Sequence, residues 1–272
     1  MKKKLFAMLG IAATLFFTGC GGGDNGGGSD KTNATLKIGA TPVPHAEILE
    51  EIKPDLKEKG ITLEIVEFND YVQPNIALND KELDANFFQH EPYLNDFIKE
   101  HKEMKLKNAG GVHVEPMGIY SKKIKDLKEL PNGSQIAIPN DPTNGGRALL
   151  LLQKAGLLKL KDGVKETATI QDIAENPKTL IIQEVEAAQL PRTLDDVDAA
   201  IINTNFAMNA DLNPMKDALF IEDKTSPYVN IVVVRDGDEK RPEIKTLIEV
   251  IKSDKVKKFI EEKYKGAIVP AF

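Results

Sequence analysis

The chain has 272 residues, with 36 Lys+Arg against 42 Asp+Glu and a formal charge of −6. Hydrophobic residues at 41% suffice to build folded cores, which excludes a disordered polymer. The acidic balance excludes the dense basic surface that nucleic-acid binding needs, and a single cysteine excludes an internal disulfide or a Cys-based zinc site.

Met1-Lys2-Lys3-Lys4 and the apolar run Leu5–Phe17 have the form of a secretory signal. At 1.5 Å per residue the run falls short of about 30 Å of hydrocarbon, so it does not read as a membrane span. Phe17-Thr18-Gly19-Cys20 resembles a bacterial lipobox, with residues 1–19 removed and Cys20 acylated. The other reading is a plain signal peptide with an incidental cysteine. Removing the three signal Lys would move the charge from −6 to −9. Gly21–Ser29 reads as part of a flexible tether spanning residues 20–34. The expectation is a soluble body held by lipid at the extracytoplasmic face of the cell membrane.

From Leu36 the pattern alternates between strand and helix. Leu36–Ala40 predicts a strand that breaks at Thr41-Pro42, and Ile48, Leu49, Ile52 and Leu56 fall at helical spacing before the stop at Gly60. Ile61, Leu63, Ile65 and Phe68 predict a second strand, Asp70 caps a helix running through Leu78, and Leu83–Phe88 gives a third strand. Gly118–Tyr120 opens a second set: strand Gln135–Pro139, helix Arg147–Ala155, and strands Leu180–Ile182 and Ala199–Ile202. Val229–Val234 is a buried-type strand, and helices around Ile244–Ile251 and Val256–Tyr264 follow. No fixed-period repeat occurs, which excludes a solenoid. The expected class is α/β, with mostly parallel sheets in two lobes of about 100 residues each.

Three places carry chemistry. Pro139-Asn140-Asp141-Pro142-Thr143-Asn144-Gly145-Gly146-Arg147 lies between a strand and a helix. Asp141 or Asn144 could cap that helix, the glycines could turn backbone N–H groups toward an anion, and Arg147 offers a fork for a carboxylate or phosphate. An ordinary capped helix with a surface arginine is the alternative. Tyr71, Phe87, Phe88, His90 and Tyr93 concentrate rings in a chain with 6% aromatics. Most of these read as core, but Phe88 and His90 share a strand face, and Tyr71 opens a helix after a strand, where clefts form in α/β sheets. Such a wall suits an apolar or thioether side chain. Asn203 and Asn230 adjoin buried strands, where amides serve either turns or an ammonium and a carboxylate. No hydrolase, zincin or kinase motif is present, so the chain does not read as an enzyme. His113 and Glu115 without a third ligand make a poor metal site.

Phe68-Asn69-Asp70-Tyr71-Val72-Gln73-Pro74-Asn75, Asp84-Ala85-Asn86-Phe87-Phe88-Gln89-His90, Pro139–Asn144 and Ser226-Pro227-Tyr228-Val229-Asn230 resemble the methionine-binding lipoproteins of the NlpA family. The likeness runs in order from about Leu36 to Phe272. It implies a substrate-binding protein of an ABC importer, with the ligand in a cleft between two α/β lobes joined by two crossover strands (a type II-like periplasmic-binding fold). It places lobe I at residues 35–116 and 230–272, and lobe II at 117–229. It implies that Tyr71, Phe88 and His90 enclose the thioether, that Arg147 meets the carboxylate, and that Asn203 and Asn230 flank the amino and carboxylate groups. Asn205 stays outside this set. The implied partners are L-methionine, the permease and its ATPase subunits, with no cofactor or metal and a monomeric state. D-methionine, a Gly-Met dipeptide or another apolar amino acid are alternative cargoes, and a surface adhesin or immunogenic lipoprotein is the alternative role.

Overall fold

The computed structural model describes residues 34–223 and 226–272. The expected signal, Cys20 and all but the last residue of the tether lie outside the described residues. Among the described residues no helix is long and apolar enough to cross a membrane.

The first half of the chain runs β1 (Ala34–Ala40), α1 (Glu47–Glu58), β2 (Ile61–Glu67), α2 (Gln73–Asn79), β3 (Ala85–His90), α3 (Glu91–Glu100), β4 (Leu106–Val114), β5 (Gly118–Tyr120), β6 (Gln135–Pro139) and α4 (Pro142–Lys154). A hairpin of β7 (Lys159–Leu160) and β8 (Ile173–Glu175) follows, then β9 (Ile181–Val185), α5 (Leu190–Thr193), β10 (Ala199–Ile202), α6 (Thr204–Asn209), α7 (Pro214–Asp217) and β11 (Phe220–Ile221). The chain closes with β12 (Val229–Arg235), α8 (Pro242–Ile251), α9 (Asp254–Tyr264) and β13 (Val269–Pro270).

Two sheets organise these elements into two lobes. The first sheet has the order β13-β4-β12-β3-β1-β2 and the second β11-β5-β10-β6-β9. Each is buried on both faces. In the first lobe Ile48, Leu49, Ile52 and Leu56 of α1 pack with Leu247 and Ile251 of α8 on one side, while Leu78 and Leu94 meet Ile231 and Val233 on the other. In the second lobe α4 supplies Leu149 and Leu152 to one face, and Leu190, Phe206 and Ala207 cover the other. Double-sided burial explains why β3 and β10 are continuous buried runs rather than alternating ones.

The expectation of mostly parallel sheets is corrected. β1 pairs parallel with β2 and β3, and β6 with β9 and β10. β12, however, runs antiparallel to both β3 and β4, and β5 antiparallel to β10 and β11. The parallel pairs lie within a lobe, where helices carry the chain back. The antiparallel strands flank the two passages between lobes, one from β4 to β5 through Glu115–Met117 and one from β11 to β12. Between β4 and β5 the three residues Glu115–Met117 leave no room for a crossover helix.

Candidate functional site

A cavity lies between the lobes, and Tyr71, Phe88, His90, Arg147, Asn203 and Asn230 all line it. The structure brings together the six side chains expected there and adds Gln89, Tyr93, Glu115, Asn144, Thr204 and Asn205.

The aromatic wall comes from the first lobe. Asp70 accepts from Val72 N–H and Gln73 N–H at 2.7 and 2.8 Å, which fixes the turn carrying Tyr71. Helix α2 therefore begins at Gln73, two residues later than a helix opened by Tyr71. The Tyr71 ring lies 5.9 Å from Phe88, 5.8 Å from Tyr93 and 4.8 Å from Phe206 of α6. Phe87 points the other way, into the core, as strand alternation requires. Behind the wall, Asn75 joins Asn86 (2.8 Å) and Gln89 (2.7 Å) in a buried amide network that ties α2 to β3. Every member is hydrogen-bonded, so this network is scaffold.

His90 ends β3 and caps α3. Its Nδ1 accepts from Tyr93 N–H at 3.1 Å, so Nε2 carries the proton and donates to Asn144 Oδ1 at 3.0 Å. Burial, reinforced by the Arg147 charge, lowers its pKa to about 3, so the ring is neutral.

Arg147 projects from α4, and here the sequence reading needs correcting. The helix starts at Pro142, with Asp141 as its cap accepting from Asn144 N–H at 2.9 Å. Gly145 and Gly146 are thus helical, and Gly145 N–H donates to Asp141 C=O within the helix rather than facing a ligand. They are small because of crowding: a Cβ at Gly145 would stand 2.9 Å from Pro139 O, and one at Gly146 would stand 2.2 Å from Glu166 O. The buried Arg147 guanidinium pairs with Glu222 through Nε (3.1 Å) and Nη2, and Nη2 also donates to Glu115 C=O at 2.7 Å. It stacks 4.2 Å over the Tyr228 ring, whose hydroxyl burial pushes up to about 12. Both passages between the lobes therefore hang on one side chain. Nη1 makes no hydrogen bond to the described residues.

Asn230 lies on β12 in the first lobe, so the amides are divided between the two walls rather than gathered on one. Its Oδ1 accepts from His45 Nε2 at 3.0 Å, while Nδ2 has no acceptor among the described residues. Asn203 follows β10, and its Nδ2 donates to Asn144 Oδ1 at 2.9 Å. Its Oδ1 is buried without a partner. Such an orphaned acceptor is costly unless something in the cavity donates to it.

Glu115, which the sequence offers only as a weak metal ligand beside His113, lines the cavity. His45 supplies the third group that the His113–Glu115 pair was expected to lack, and the three sets of ligand atoms lie within 4.8 Å. The contacts are those of a hydrogen-bonded carboxylate. Oε1 accepts from His113 Nε2 at 2.8 Å and lies 3.2 Å from His45 Nε2, and Oε2 accepts from Asn205 N–H at 3.1 Å. Burial raises the Glu115 pKa and lowers His45 to about 4 and His113 to about 3. Neutral imidazoles do not balance a charge on Glu115, so a cation entering the cavity stabilises its carboxylate form. The signal was in the sequence as an acidic residue at the end of a buried-type segment, but its partner His45 lies 70 positions away.

The cavity thus has two chemically distinct ends. At one, donors on Arg147 and Asn230 without acceptors among the described residues stand beside the unpartnered Asn203 Oδ1 and the Glu115 carboxyl, an arrangement matched to a zwitterion. At the other stand rings. Two hydrogen bonds cross between the walls, Tyr71 Oη–H to Asn205 Oδ1 at 2.6 Å and His90 to Asn144, so the lobes are closed on each other.

Residues 36–272 match the model of the NlpA lipoprotein family. The chain is 47% identical to the methionine-binding lipoprotein MetQ of Bacillus subtilis (strain 168), over 99% of each chain. It is 46% identical to the D-methionine-binding lipoprotein MetQ of Salmonella typhi, over 98% of each. Among solved structures it is similar to a nutrient binding protein from Burkholderia cenocepacia bound to methionine, with a TM-score of 0.84 and 49% identity over 87% of this chain and 100% of that one.

Proposed function

The chain belongs to the NlpA lipoprotein family, and from that premise we propose that it is the substrate-binding component of an ABC importer whose cargo is L-methionine. One observation carries the reading: a closed cavity with a zwitterion's complement at one end and an aromatic wall at the other. The α-carboxylate meets Arg147 Nη1 and Asn230 Nδ2, the α-ammonium meets Asn203 Oδ1 and Glu115, and the thioether lies among Tyr71, Phe88 and Tyr93. Sulfur against ring edges is a favourable contact. His90 contributes its ring and not its nitrogens, since both are hydrogen-bonded within the protein.

Transport follows from the two lobes. Donors and acceptors of the polar end sit on both walls, so the ligand satisfies all of them only when the lobes are closed. A ligand shifts that equilibrium by its difference in affinity for the open and closed states. The closed monomer then docks on a permease driven by separate ATPase subunits, held near it by acyl chains on Cys20 and the Gly-rich tether. The chain itself performs no catalysis in this scheme.

The test is thermal unfolding of ligand-stripped protein against the amino acids, followed by calorimetry with L- and D-methionine. Tight binding raises the melting temperature in proportion to the logarithm of ligand concentration over dissociation constant. The D-enantiomer is the competing cargo, because relatives carry it in their names. Stronger binding of D- than of L-methionine would replace the cargo and leave the site. No shift with either would end the reading.

A further inference from the structure

Hydrogen-bond polarity in this cavity is decided by one residue that contributes little surface to it. Asn144 lies in the first turn of α4 and is 1% exposed. Its Nδ2 is bracketed by both oxygens of Asp141, at 3.0 and 3.1 Å, and its own N–H and Thr143 Oγ1–H donate to the same carboxylate. An ionised carboxylate only accepts, so the amide cannot turn over without setting oxygen against oxygen. Asn144 Oδ1 is therefore locked toward the cavity, where it accepts from Asn203 Nδ2 and His90 Nε2.

Two consequences propagate. Asn203 is held with its NH₂ toward Asn144 and so turns Oδ1 the other way, as the orphaned buried acceptor. His90 has spent Nε2–H on Asn144 and the Nδ1 lone pair on Tyr93 N–H, so two independent constraints select the same neutral tautomer. Without Asn144, the Asn203 amide would be free to turn its NH₂ toward the ligand, and the site would lose its preference for a donor at that point.

We propose that Asn144, anchored by Asp141, is a positioning residue that sets the polarity of the cavity. It commits Asn203 to accept and so selects ligands bearing an ammonium over analogues bearing only an acceptor at the same carbon. The ligand half of this statement rests on the proposed binding of methionine, whereas the tautomer half does not.

The first measurement is ¹⁵N NMR of the His90 imidazole in ligand-free wild-type protein. A neutral ring protonated at Nε2 between pH 5 and 8 is expected. A ring protonated at Nδ1, or one titrating in that range, overturns the proposal whether or not methionine binds. The second is calorimetry with methionine and with its α-keto analogue, which keeps the carboxylate and thioether but cannot donate from the α position. Wild-type protein is expected to favour methionine by more than 100-fold, and Asn144→Leu to reduce that ratio at least tenfold. Asn144→Leu combined with Asn203→Asp, which accepts in either orientation, is expected to restore it. A purely structural role weakens both ligands alike, so an unchanged ratio in Asn144→Leu, or no recovery in the double variant, overturns the proposal. Wild-type protein that binds neither ligand defeats the methionine reading, and a His90 ring protonated at Nδ1 would still overturn the polarity.

Discussion

The two ends of the cavity are built on opposite principles. At the aromatic end the protein is already satisfied: Tyr71 donates to Asn205, Tyr93 donates to Tyr71 C=O, and the rings touch one another. At the polar end it is left incomplete, with a buried amide oxygen lacking any donor and an arginine whose Nη1 has no acceptor among the described residues. A contact that the protein can make for itself confers shape, and one that it cannot make confers dependence on the ligand. Discrimination should therefore concentrate at the polar end, and tolerance for different side chains at the aromatic end.

The sharpest way to break this contrast is Arg147→Ala. It removes the carboxylate partner and strands Glu222, so methionine affinity is expected to fall by about 2–5 kcal/mol, the range for truncating one partner of a buried charge pair. Calorimetry on protein unfolded, dialysed and refolded provides the check, and an unchanged affinity would place the carboxylate elsewhere. Phe88→Ala attacks the other end. Because Phe88 is 3% exposed and packs with Tyr93 and Phe97, it is as much core as wall. Its loss is expected to cost about 3 kcal/mol of stability in the ligand-free protein. Urea unfolding measures it, and affinity should fall as well.

Acid provides a third probe, directed at the groups behind the polar end. His45, His90 and His113 have folded-state pKa values of about 4, 3 and 3, below the ordinary 6.5. Between pH 6.5 and 4 the unfolded chain binds these protons and the folded chain does not. Stability therefore falls as pH drops through that window, by about 1.4 kcal/mol per pH unit for each imidazole. Glu115 and Asp141, raised by burial, act in the opposite direction. With three groups against two, a net loss on acidification is expected in urea titrations at pH 7, 6 and 5. A flat profile would remove the imidazoles as a net source of instability in acid.

How much of this was visible in the sequence depended on whether the signal was local. β10 was readable residue for residue as Ala199–Ile202, because a buried run announces itself, and α8 and α9 came from their spacing. Strand β4 went unseen. Its Leu106-Lys107-Asn108-Ala109-Gly110-Gly111 start has no strand-like pattern, and its glycines make sense only through neighbours: a Cβ on Gly111 would stand 2.8 Å from Val229, more than 100 residues away. The same holds for the site. Arg147 and the aromatic cluster stood out by residue type and position. Glu115 did not, since its meaning comes from His45 and from Asn205, and Asn205 was set aside although it holds both Tyr71 and Glu115. Single side chains can be nominated from sequence, but the pairing of donors with acceptors across a cleft is a property of the closed fold.

The smallest expected effect tests where the contrast between the two ends breaks down. Tyr71 belongs to the aromatic wall, yet its hydroxyl reaches across the cleft to Asn205 Oδ1 at 2.6 Å, on the helix that also presents Asn205 N–H to Glu115. Tyr71→Phe keeps the ring and its contacts with Phe88 and Phe206 while deleting this bridge. If the hydroxyl only seals the wall, affinity should barely change. If it helps to hold the lobes together, the closed state loses about 1 kcal/mol, the net worth of one hydrogen bond. Part of that loss then appears as weaker binding, because ligand energy is spent on closure. Small-angle scattering of the ligand-free variant, showing a larger radius than wild type, together with an affinity lowered several-fold, is the expected result. An unchanged radius with unchanged affinity would return Tyr71 to a purely packing role and leave His90–Asn144 as the hydrogen bond that closes the cleft.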